Sequence, residues 1–100
     1  MAELYPRVYI SQDFAQPDWS GLGEPPPLGR AYGHVDPGPQ SDTPPDEGEW
    51  DDISDAIAWG RERAPVVLVR VGFADYHSAG RTRHPDFDAW PPSDRAIRGD

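Results

Sequence analysis

The stretch from Trp50 to Phe73 constrains the fold of this chain more than any other part. A run of acids leads into an amphipathic segment, Ala64-Pro65 breaks it, and a β-branched run follows at once. Asp52 stands where an N-cap belongs, with Asp51 before it and Asp55 at the third helical position. Such carboxylates satisfy exposed N–H groups and complement the positive end of the helix dipole. At about 100° per residue, Ile53, Ala56, Ile57, Gly60 and Ala64 form one apolar stripe, a thin one because glycine and alanine carry little area. Arg61 and Arg63 complement the opposite end of the dipole. The residue before a proline is pushed out of the α region, so the pattern predicts a helix over about 52–64. A strand over about 66–73 follows, with Val67, Val69, Val71 and Phe73 facing one way and Val66, Leu68, Arg70 and Gly72 the other. Its first half is apolar on both faces, as in an inner strand.

Less of the remaining chain is legible. Arg7-Val-Tyr-Ile-Ser11 alternates, which predicts a strand over about 7–11 with Val8 and Ile10 buried and Tyr9 opposite. Gly72 to Asp75 reads as a turn, and Tyr76-His77-Ser78 as the start of a return strand over about 76–79. Between Pro17 and Gly48 fall eight prolines and six glycines, so residues 15–49 read as an irregular, poorly ordered insert. Arg30 to Val35 is a candidate strand inside it, but no strand meander is legible ahead of the helix. From Arg81 onward there is no period, and residues 81–100 read as a flexible tail. The expectation is therefore a small single α+β domain over residues 1–80, one helix on a short sheet. Its core would draw on roughly forty residues, few enough that association is the expected support.

Composition removes several function classes. The chain has no cysteine, which excludes disulfides, thiolate catalysis and cysteine-bound zinc. No apolar run approaches the roughly 20 residues that span a bilayer, and the first residues lack the features of a signal peptide. A cytoplasmic protein without a membrane partner is expected. All nine basic residues are arginine, and lysine and asparagine are absent. Both missing residues use A- and T-rich codons, which points to a GC-rich bacterial or phage genome. Of the formal net charge of −9, the window 31–60 carries eight acids (Asp36, Asp42, Asp46, Glu47, Glu49, Asp51, Asp52, Asp55) and no arginine. A field of one sign repels nucleic-acid phosphates and raises encounter with a basic partner, although a solvated acidic linker has the same composition.

Candidate sites follow from these patterns. Trp50, Asp51, Asp52, Asp55, Trp59 and Arg63 gather aromatic rings, acids and an arginine around the helix, a composition favoured at protein interfaces. Trp59 lies on the flank of the apolar stripe, one turn before Arg63, where it either stacks under the guanidinium, joins the core or anchors a partner. Phe87 and Trp90, set among acids and prolines, have the look of a short linear recognition motif. His84, Asp86 and Asp88 have the donor types of a divalent-cation site, without a second cluster to support it. The leading expectation is a small acidic interaction module for a basic protein partner, in an immunity-, antitoxin- or adaptor-like role, or a homo-oligomer. The alternative is a small enzyme or metal-dependent hydrolase using His77, His84, Asp86 and Asp88. No cofactor is expected.

Overall fold

The helix forms where its cap and its proline stop place it. In the computed structural model, which describes residues 5–16, 18–19, 23–24, 26–39 and 46–99, α1 spans Ile53–Arg63. Ser54 N–H donates to Asp52 Oδ1 at 2.8 Å, and the Ala64 N–H donates to Gly60 O, closing the last turn. Ala56, Ile57 and Gly60 are buried, as the stripe requires.

The helix crosses one face of a six-stranded mixed sheet. Its strands in chain order are β1 (Arg7–Phe14), β2 (Leu28–Asp36), β3 (Glu47–Trp50), β4 (Val66–Val71), β5 (His77–Ser78) and β6 (Asp88–Ala89). Their spatial order is β3-β2-β1-β4-β5-β6. The strands β1, β2 and β3 form an antiparallel meander; β4 lies parallel to β1, and α1 makes the crossover that parallel pairing needs. Pairing Val8 with Val67 and Ile10 with Val69 sets these valines and isoleucine under the helix, all fully buried.

Here the structure differs from the sequence expectation. The insert 15–49 supplies the nine-residue β2 and all but the last residue of the edge strand β3, so a meander does precede the helix. Residues 17, 20–22, 25 and 40–45 of that insert lie outside the described residues. The signal in β2 is weak for a physical reason. On its helix-facing side it presents Ala31, Gly33 and Val35, small residues that leave room for two indoles above them. A side-chain carbon on Gly33 would come within 3.2 Å of Trp50 and 3.5 Å of Trp59. The two indoles pack on each other at 4.8 Å between centroids. Bulk that a strand would ordinarily show in sequence is supplied from the helix and from β3.

Residues 81–99 differ from the expected flexible tail in the same way. Thr82 N–H donates to Pro65 O at 2.9 Å, and His84 N–H to Ser78 Oγ at 3.0 Å. Strand β6 pairs with β5, and Trp90 N–H donates to Ser78 O at 3.0 Å. A short helix, α2 (Asp94–Arg98), follows, capped by Ser93, and Ile97 O accepts from Phe73 N–H at 2.9 Å. Trp90 and Ile97 pack against the buried core, which also draws Ala31 and Val35 from the insert. The core therefore draws on more of the chain than the roughly forty residues read from sequence.

The corner at Gly80 is where this segment crosses the start of β4. A side-chain carbon there would sit 2.5 Å from Pro65 O and 2.6 Å from Val67 N, both backbone atoms. Gly80→Ala is expected to lower the unfolding free energy by about 1–3 kcal/mol, as overpacking in a tight core does. Urea denaturation checks it, and an unchanged midpoint would show that the corner has room to move.

Candidate functional site

The face of the sheet opposite α1 is uneven. Over β4 and β5 it is covered: Val66 and Leu68 are fully buried there, and Ser78, the register partner of Leu68, is bonded to the backbone of His84. Over β1, β2 and β3 it carries polar and aromatic side chains. Period-two alternation places Tyr9 and Ser11 of β1, Tyr32 and His34 of β2, and Glu47 and Glu49 of β3 on this side. Tyr9 and His34, directly opposite each other, stack at 5.5 Å between centroids, and Tyr76 meets Tyr9 edge-on at 5.6 Å.

Ser11 is small beside these rings, and the gap above it is a cavity of about 130 Å³ bounded by Tyr9, Tyr32, His34, Glu47 and Tyr76. On its outer side Tyr32 bounds a second, open cavity of about 270 Å³ with Glu47, Gly48 and Glu49. Tyr32 is 53% exposed.

Charge on this face is partly neutralised. Arg30 Nε lies 2.7 Å from Glu49 Oε1, with its Nη1 3.2 Å from Asp51. Arg70 Nη2 donates to Asp13 Oδ1 at 2.8 Å and its Nη1 to Gly72 O at 2.9 Å. Partial burial opposes the Arg70 charge, but the Asp13 carboxylate and the nearby Tyr76 hydroxyl outweigh it and hold its pKa above the usual arginine value. Among the described residues Glu47 has no ion pair.

Strand β3 closes one edge of the sheet. Because Val35 N–H donates to Asp46 O, alternation turns the backbone groups of Gly48 and Trp50 toward β2. Those of Glu47 and Glu49 point outward. Around this edge the exposed acids are Asp46, Glu47, Glu49, Asp51, Asp52 and Asp55.

The residues singled out in sequence fall into three places. Trp50 and Trp59 are half-buried on the helix side of the sheet, with the Arg63 guanidinium 4.5 Å above the Trp59 ring and its Nε 3.2 Å from Asp46. Asp52 caps α1, Asp51 pairs with Arg30, and Asp55 is exposed in the first turn of the helix. Trp90 packs on the core and Phe87 meets His84 edge-on at 4.9 Å. His84 is 4% exposed, and its Nδ1 accepts from Asp86 N–H at 3.1 Å, so this ring nitrogen is occupied within its own turn. Asp86 and Asp88 are exposed, and the imidazole that shares a cavity with them is His77. That cavity, of about 590 Å³, is bounded by Asp75, His77, Asp86, Phe87, Asp88 and Ser93. Among the described residues no three histidine or carboxylate side chains converge as a metal would need.

Sequence reasoning did not bring Tyr9, Tyr32, His34, Tyr76 and Glu47 together. The available signal was the alternation of Arg30, Tyr32 and His34 against Ala31, Gly33 and Val35, which places the polar and aromatic residues on one side. Among the described residues no helix is long and apolar enough to cross a membrane. Comparison with family models, curated proteins and solved structures finds no match to this chain.

Proposed function

We propose that this chain is an acidic protein-binding module that receives a basic partner along the β3 edge. The observation that carries this reading is the pairing of outward backbone groups with exposed carboxylates on one strand, at Glu47 and Glu49. An edge strand offers hydrogen bonds to an extended segment, and carboxylates at alternate positions select the sign of what binds. Self-association through the same edge is disfavoured, because it would set Glu47 and Glu49 against their own copies, and like charges directly opposite each other destabilise a strand pair. The partner's binding either neutralises it or recruits it.

Affinity capture at low salt is expected to recover a basic protein whose retention falls sharply at about 0.5 M salt, where the Debye length is a few ångströms. In the complex, the amides of Glu47 and Glu49 are expected to gain hydrogen-exchange protection. The double variant Glu47→Arg/Glu49→Arg is expected to weaken capture at least tenfold. Capture that survives the double reversal would overturn the edge reading.

A further inference from the structure

We infer that the groove between Tyr32 and Glu47 seats one arginine side chain of an extended partner segment added to β3; this rests on the edge reading above. Tyr32 and Glu47 bound both the outer cavity of about 270 Å³ and the inner one of about 130 Å³. Each is smaller than the roughly 300–1,000 Å³ typical of small-molecule sites, and suits a single side chain better than a free ligand. A segment pairing with β3 would lie about 4.8 Å outside it, so a long side chain on the open face crosses β3 to reach the Tyr32 ring.

The chemistry of the groove selects a cation. An aromatic face attracts positive charge through its quadrupole, and a carboxylate beside it adds a charge-assisted acceptor. Among the described residues the Tyr32 ring stacks on no other ring or cation, and Glu47 has no ion pair. The neighbouring arginines are already engaged, Arg30 by Glu49 and Asp51, Arg70 by Asp13. On the other side of the sheet the same combination is complete, with Arg63 lying over Trp59 and reaching Asp46. The groove sets a ring and an acid of the same chemical kinds, Tyr32 and Glu47, side by side without a guanidinium. Arginine is preferred over lysine because its planar head stacks on a ring while it donates to a carboxylate, whereas an ammonium is a compact, strongly hydrated point charge.

The test uses the full chain and capped five-residue peptides alternating valine with arginine, lysine or citrulline, the neutral isostere of arginine. Binding is followed by NMR shifts of the Tyr32 ring and of the Glu47 and Glu49 amides. The arginine peptide is expected to shift all three and to bind at least fivefold more tightly than the citrulline peptide. Tyr32→Ala is expected to weaken the arginine peptide about three- to fivefold, while Tyr32→Phe, which keeps the ring face, stays within about twofold. Glu47→Gln is expected to weaken it by a similar factor. Equal binding of the arginine and citrulline peptides would overturn the arginine seat, as would unchanged affinity in Tyr32→Ala; in both cases shifted Glu47 and Glu49 amides leave the edge reading intact. If the ring shifts but those amides do not, strand addition is wrong and the inference falls with it.

Discussion

Ending the chain at Gly80 is expected to leave it without a cooperative fold at 25 °C. The reason is what residues 81–99 cover. Val66 and Leu68 are fully buried on the face of the sheet away from α1, and on that face His84 N–H donates to Oγ of Ser78, the register partner of Leu68. Burying a valine or leucine side chain contributes about 1.5–3 kcal/mol, so uncovering these two removes roughly 3–6 kcal/mol. Trp90 and Ile97, which pack against the core, would be lost as well. Small domains are stable by only about 5–15 kcal/mol, and these losses together are of the same order as the lower part of that range. Thermal and urea denaturation followed by circular dichroism would decide the matter. A truncated chain that melts cooperatively within a few degrees of the full chain would show that residues 81–99 add little, as a flexible tail would.

Leu68→Ala is the second large effect expected, and it asks the same question at one residue. Leu68 pairs in register with Tyr9 on one side and Ser78 on the other, at the centre of the sheet, and has no exposed surface. Removing its branched end leaves a cavity between layers that cannot collapse freely, at a cost of about 2–5 kcal/mol. For a domain of this size that lowers the melting temperature by roughly 10–30 °C, since each kcal/mol shifts it by about 4–8 °C. Were the face over Leu68 open to water, most of the transfer and cavity terms would vanish. A loss below about 1 kcal/mol by urea titration would therefore argue against the covering segment.

The two variants probe the part of the fold that the sequence hides best. Strand β6 has two residues and α2 has five, both too short to express a hydrophobic period. Their order comes from backbone hydrogen bonds to Ser78, Pro65 and Phe73, groups that no pattern within 81–99 names. Strand β2 is hidden for another reason. Its inward residues are small because Trp50 and Trp59 fill the space above them, so the bulk that marks a buried strand sits elsewhere in the chain. The candidate groove inherits this difficulty. Tyr9, Tyr32 and Glu47 lie on three strands, and only the registers Tyr9 to His34 and Tyr32 to Glu49 bring them onto one surface.

What the sequence determined by itself is local and strongly patterned: the Asp52 cap, the stripe of Ala56, Ile57 and Gly60, the stop at Pro65, and the valine-rich strand after it. Each rests on interactions within a few residues, between a cap and its N–H groups or between neighbours on one helix face, and these leave their mark in spacing. Tertiary structure alone decided that β4 runs beside β1, that β3 becomes the acidic edge, and that residues 81–99 are tied to β4 and β5 with Trp90 and Ile97 against the core. Those outcomes depend on pairing between distant strands and on which bulky side chain fills which gap, and neither is encoded in any short window of the chain.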